Sequence, residues 1–315
     1  MTQTISELWD PVLDADRQQA DPEVDELLQG AVDLHTHPGP SPFPRRMSIL
    51  DAATDAATVG FRALVAKSHH HSMQTDILAL ETAGLQDVPV KVYGGVALNR
   101  TVGGLNPYAV ELALRMGGRV VWFPTISSPA HLEFHAHNHS SGFPVAGIPL
   151  RENEPISVLD ESGALKTAAR DVLDVIAAES AILNCGHLPA AEIDVLIPGA
   201  LEAGVTRIVV SHPEFVLGAG PDRIGRWARQ GVFVEHCLAM LVGREPKPEP
   251  VAKIAEFYQA AGPGQTIFSS DLGQKGNPLP VTAYRRMVRA LLDSGVVPAD
   301  IKAMTGGNAG GLLAG

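Results

Sequence analysis

Twelve histidines against two cysteines make imidazole the main metal-binding and proton-handling group of this 315-residue chain. Two of them, His35 and His37, stand two positions apart in DLHTHPG. On an extended backbone, residues i and i+2 point to the same side, so both rings can converge on one ion. A bare H-x-H is a common chance pattern, and position is what gives it weight here. His187 closes NCGH, His212 closes VVSH and Asp271 closes SSD, each directly after an apolar run. Imidazole nitrogens with one carboxylate suit zinc, iron(II) or manganese and leave a position for water. Any one of the five reads equally well as a hydrogen-bonded loop residue; five together at strand ends do not.

The elements that must position them follow from hydropathy. Eight short runs rich in Val, Ile and Phe alternate with amphipathic stretches: AVDLH (31–35), FRALVAK (61–67), VKVYGGVAL (90–98), RVVWFP (119–124), AILNCG (181–186), RIVVSH (207–212), VFVEHC (232–237) and TIFSSD (266–271). Runs that are apolar on consecutive positions mark strands buried on both faces, as in a parallel sheet. Ser48 is placed to cap a helix ending at Gly60, and Asn106-Pro107 starts one ending at Gly117-Gly118. Further helical patterns occupy roughly 167–179, 189–204, 221–230, 249–261 and 281–294. Eight strand–helix units over residues 31–315 predict an α/β fold, a (β/α)8 TIM barrel, whose chemistry sits at the C-terminal strand ends. A doubly wound open sheet is the alternative, and VGGLNP (102–107) does not match its phosphate-binding turn. Residues 1–30 read as an N-terminal helical extension, with a helix from Asp21-Pro22 to Gly30. Residues 125–165 are a long insertion after the fourth strand, with a hairpin over 155–166 turning at Glu161-Ser162-Gly163.

Composition narrows the function. The 24 basic and 35 acidic residues leave a net charge of −11, which opposes binding to nucleic acid or to an anionic membrane. Two cysteines build neither a disulfide framework nor a four-thiolate zinc site, and Cys185 and Cys237 read as small buried apolar residues. No apolar run approaches the roughly 18 residues of a membrane helix, and the acidic N-terminus lacks a signal-peptide pattern. The expectation is a cytoplasmic globular protein acting on a small molecule.

On the residues His35-x-His37, His187, His212 and Asp271, the chain resembles the amidohydrolase superfamily of metal-dependent hydrolases. Its signature is H-x-H after the first strand, His after the fifth and sixth, and Asp after the eighth. The likeness spans residues 31–315 and includes TGGNAGGLL (305–313), similar to the superfamily's closing N-P-A-x-x-L helix with Ala309-Gly310 in place of Pro-Ala. It points to a poorly characterised branch of a superfamily whose members often form dimers or larger assemblies, so a homo-oligomer is an expectation. Many two-metal members carry a bridging carboxylated Lys or a Glu after the fourth strand, whereas WFPTISS (122–128) has neither. The resemblance therefore implies one divalent ion rather than two, zinc first, with manganese or iron(II) as alternatives. It also implies that Asp271 is ligand and general base, and that His212 or the ion polarises the scissile group. The implied reaction is hydrolysis of an amide, cyclic amide, imide or lactone, with a phosphoester as an outlier. A metal-dependent decarboxylase or lyase and a non-catalytic metal-binding barrel are the competing readings.

Substrate contacts are expected from the same rim. Lys67 and His69 follow the second strand in KSHHHS, and Arg100 follows the third. His135, His137 and His139 alternate in HLEFHAHNHSSG; an extended chain would align them as a row of imidazoles, against the blander reading of a polar lid. Of these, His137 and His139 are assigned to substrate. Glu235 and His236 are candidates for supporting the ligands. Arg45, Arg46, Lys67, Arg100, Arg244 and Lys275 gather on strand-end loops, with Arg151 in the long loop, which suggests a carboxylate- or phosphate-bearing substrate.

Overall fold

The computed structural model describes residues 20–137, 146–148, 150–242, 255 and 258–314. All eight apolar runs are strands, and every pairing is parallel. They are β1 Val32–Thr36, β2 Ala63–Ala66, β3 Lys91–Tyr93 with β4 Gly95–Ala97, β5 Val120–Trp122, β6 Ile182–Asn184, β7 Ile208–Ser211, β8 Phe233–Cys237 and β9 Thr266–Ser269. The third run is divided because Gly94 gives its N–H to the Gln74 side chain, at 3.0 Å, rather than to a ladder. The result is one sheet in the order β1-β2-β3 and one running β4 through β9. β9 returns to β1: Asp271 N donates to His35 O at 2.6 Å, and His37 N donates to Leu272 O at 2.7 Å. Thr36 and Leu272 form a parallel bridge there. The architecture is a barrel-like α/β fold of parallel strands.

Helices cross between the strands where the caps predict them. Ile49–Ala57 begins with a capping box of Ser48 and Asp51, which satisfies two backbone N–H groups at once. Pro107–Arg115 begins with Asn106, whose side chain accepts from Tyr108 N and Ala109 N. Thr167–Ala178, Ala190–Glu202, Pro221–Arg229 and Pro280–Asp293 occupy the other patterned stretches. Most of the stretch 249–261 lies outside the described residues. Gln74–Glu81 is a helix without a one-sided apolar stripe and has no counterpart among the predicted helices. The predicted hairpin is small: Leu159 and Leu165 form an antiparallel bridge, closed by Asp160 N–H on Ala164 O. Pro22–Leu28 is the predicted N-terminal helix, capped by the Asp21 side chain.

Apolar side chains fill both sides of the strands. Val32, Leu34, Val65, Trp122, Val209 and Ile267 pack together between the strands. A second layer packs strands on helices, with Leu183, Val210 and Val234 against Val172, Ile193 and Ile224. Burial on both faces accounts for the consecutive apolar runs. It also leaves the strand ends as the place where polar side chains can gather.

Candidate metal centre

His35 and His37 lie on and just beyond β1, and both are buried. Their Nε2 atoms are 3.2 Å apart. Asp271 Oδ1 completes a triangle, 3.2 Å from His35 Nε2 and 2.9 Å from His37 Nε2. The outer ring nitrogens fix the tautomers. His37 Nδ1 must donate to Lys67 O, 3.0 Å away, because a carbonyl oxygen only accepts. His35 Nδ1 faces the Glu235 carboxylate, with Oε2 at 3.3 Å. Both Nε2 atoms are therefore the unprotonated ones, and both lie within 3.2 Å of Asp271 Oδ1. Three acceptors this close repel one another unless a cation lies among them, and a carboxylate or carbonyl behind each imidazole is the usual support of a metal ligand.

Lys67 supplies one internal cation: its Nζ donates to His35 Nε2 at 2.9 Å and lies 5.4 Å from the centre of the Trp122 ring. Burial lowers its pKa to about 8, against the opposing pull of Asp271. Burial alone would raise Asp271, but His35, His37 and His212 outweigh it and hold the carboxyl well below the usual range. Glu235 behaves alike: burial raises it, and His35 and Ser211 bring it down to about 2. Ser211 Oγ donates to the same Glu235 Oε2.

His212 Nε2 is 3.9 Å from Asp271 Oδ2, and its Nδ1 is buried without a hydrogen-bond partner among the described residues. His187 packs edge-on against His212, with ring centres 5.0 Å apart. Its Nε2 is also buried and unpartnered, while its Nδ1 lies 3.0 Å from His131 Nδ1. Burial keeps both rings neutral, with His212 lowered to about 4 and His187 well below its usual value. Neutral imidazoles with unspent nitrogens are the state a metal ligand requires.

The backbone is shaped for this convergence. His212 and Asp271 are two of three non-glycine residues at positive φ among those described, at 54° and 53°. His212 directly follows β7 and Asp271 stands two residues beyond β9, and such a conformation costs about 1–3 kcal/mol, which the surrounding bonds must offset. Gly273, at φ 137°, lies so close to His37 that a Cβ there would come within 2.0 Å of its carbonyl oxygen. Gly186, at φ 61°, turns the chain into His187 where a Cβ would meet Phe123 O at 2.2 Å.

The other predicted contacts divide. His69 is buried with its ring 4.7 Å from His37 and its Nδ1 2.9 Å from Thr125 Oγ1. Arg100 is not at this centre: its Nε and Nη2 donate to Glu154 O and Pro155 O, tying down the long insertion. The row of imidazoles is not extended. Residues Pro129–His137 form a helix, which sends i and i+2 in different directions. His131 and His135, at i and i+4, share a face with ring centres 4.3 Å apart, whereas His137 is exposed with its Nδ1 donating to Glu133 O. His139 lies outside the described residues. His236 points away from the centre onto Glu214, at 3.1 Å.

Cys237 is buried, as its reading as a small apolar residue expects, and it also lies against the centre. Its Sγ is 3.7 Å from His35 Nδ1 and 3.9 Å from His212 Nε2, and the three are spaced as a group able to hold an ion. The signal was the two-residue period of β8, which puts Glu235 and Cys237 on one side and His236 on the other.

The fold is that of the amidohydrolases. An amidohydrolase from Pseudomonas aeruginosa superposes with a TM-score of 0.64 at 11% identity, over 93% of this chain and 98% of that one. An amidohydrolase from Burkholderia multivorans with bound zinc gives 0.53 at 13%, over 90% and 99%. A mutant organophosphorus hydrolase from Deinococcus radiodurans gives 0.50 at 13%, over 92% and 94%. By sequence the chain belongs to a family of unknown function (DUF6282), whose profile matches residues 30–235 and so spans four of the five strand-end residues. No curated protein matches it. Among the described residues, no helix is long and apolar enough to cross a membrane.

Proposed function

We propose that this protein is a metal-dependent hydrolase of small molecules, built on a single (β/α)8 ring in which β9 closes onto β1. The observation that carries the reading is the triangle of His35 Nε2, His37 Nε2 and Asp271 Oδ1, with edges of 2.9–3.2 Å and both imidazoles supported from behind. These three atoms would hold one divalent ion, with His212 and His187 supplying further nitrogens. Zinc suits this donor set, and zinc is what the Burkholderia relative of the same fold contains. When bound, the ion would supply Lewis acidity and bring the pKa of water from about 15.7 towards 7.

The chain's own groups do the rest. Asp271 stays ionised, so it can accept the proton of the attacking water and return it to the leaving group. His212, across from Oδ2, is placed to polarise the scissile carbonyl. Glu235 fixes His35 and the Lys67 carbonyl fixes His37, so neither ring can turn away. Bonds of the amide, cyclic imide and lactone type fit this chemistry. The test is a zinc-replete preparation assayed on a panel of such compounds, with Asp271→Asn as control. Turnover by the wild type and its loss in a folded variant support the reading; carbon dioxide released without water consumed would replace it with a decarboxylase.

A further inference from the structure

Arg45 was one of several basic residues on strand-end loops, and the structure separates it from the rest. It is only 2% exposed. An antiparallel bridge to Gln274 ties its loop to the loop that follows Asp271. The guanidinium lies against the Phe43 ring, 5.8 Å from its centre. Its Nε and Nη2 are buried and meet no hydrogen-bond acceptor among the described residues. Those two atoms form the side-on edge that grips both oxygens of a carboxylate. The same edge is filled elsewhere in this molecule: Arg285 Nε and Nη2 hold Asp25 at 2.7 and 2.9 Å, and Arg289 holds Asp21 at 3.2 and 2.8 Å.

Two buried guanidinium N–H groups that meet no acceptor among the described residues are strongly unfavourable, and their persistence calls for an anion. Asp271 offsets part of the burial, yet Arg45 is still lowered to about 10. Asp271 makes its own short contacts with the two histidines and accepts no hydrogen bond from this edge. Beside Arg45, His70 packs edge-on to Phe43 with ring centres 4.9 Å apart, and both its nitrogens are buried and meet no partner among the described residues. Burial and the Arg45 charge keep His70 neutral, at about 4, so it offers one N–H and no second charge. The planar Nε/Nη2 fork beside one neutral donor matches the two in-plane oxygens of a carboxylate.

We propose that Arg45, with His70 beside it, anchors a carboxylate group of the substrate next to the His35/His37/Asp271 centre. The assignment rests on the hydrolase reading for the word substrate, though the anion site stands on its own atoms. Such a substrate carries a carboxylate a few bonds from the amide or lactone to be cleaved.

Calorimetric titration of the zinc-loaded protein with malonate, and separately with inorganic phosphate, tests it. Malonate should bind more tightly than phosphate. Arg45→Met should weaken malonate by at least about 30-fold, and Arg45→Lys by about tenfold, because an ammonium keeps the charge and loses the fork. The zinc content should stay at the wild-type value in both. Equal malonate binding in wild type and Arg45→Met overturns the anchor, and Arg45-dependent binding that favours phosphate overturns the carboxylate. Wild-type protein that takes up no zinc but binds malonate through Arg45 defeats the hydrolase reading and leaves the anchor. Should Arg45→Met not fold, the Arg45 Nε–H signal of the wild type in 15N–1H spectra serves instead. It should move on adding malonate, and a fixed signal overturns the proposal.

Discussion

Asp21 and Asp25 at the N-terminal helix Pro22–Leu28 meet Arg289 and Arg285 of the helix Pro280–Asp293 in matched, two-pronged pairs. At the strand ends, among the described residues, polar groups are left unmatched: Arg45 Nε and Nη2 meet no acceptor, His187 and His212 each have a spare buried nitrogen, and Asp271 Oδ1 lies against two unprotonated imidazole nitrogens. Both regions place charge in a partly or wholly buried setting, and only one of them completes its own pairing. Completed pairs hold elements together, whereas unfilled donors and acceptors raise the free energy of the folded chain until a ligand meets them. The contrast separates residues kept for structure from residues kept for chemistry, without reference to any relative.

Substitutions should therefore behave oppositely in the two regions. The largest effect is expected for Asp271→Asn, which keeps shape and removes the base. Turnover should fall about 10²–10⁴-fold with little loss of thermal stability, measured by steady-state kinetics and calorimetry. A large drop in melting temperature would show that Asp271 is structural and erase the contrast.

Glu235→Gln comes next. The variant keeps the size of the side chain and loses the anion behind His35, so zinc affinity should fall about 10–100-fold in competition with a chelator. Unchanged affinity would mean that Glu235 serves only to satisfy Ser211.

The smallest effect on the centre is expected from the other region. Asp25→Asn breaks a partly buried pair with Arg285 and should cost about 1–3 kcal/mol in denaturant unfolding, with zinc content unchanged. A loss of zinc in that variant would couple two regions that the structure keeps apart.

The strand ends were legible because a parallel sheet buried on both faces writes its strands as consecutive apolar runs, and polar residues at their ends stand out. His35, His37 and Asp271 emerge from that pattern alone, and their convergence needs only the two-residue period and the return of β9 to β1. The approach of Cys237 to the centre follows equally from the period of β8, although cysteine so often packs only as an apolar residue. The helix Pro129–His137 was not legible: PAHLEFHAH carries no apolar stripe, so tertiary contact through buried His131 decides its form. Arg45 was hidden for a different reason. Its type and loop position match those of exposed Arg100, and only the packing of Phe43 and the bridge to Gln274 make it a buried cation.

The central claim is that His35, His37 and Asp271 hold one divalent ion. Crystals of zinc-replete protein, with anomalous diffraction at the zinc edge and metal analysis of the same preparation, address it directly. The account predicts an anomalous peak bonded to His35 Nε2, His37 Nε2 and Asp271 Oδ1, at one ion per chain, and its disappearance in His37→Ala. A metal-replete preparation with no peak among those three atoms would contradict it.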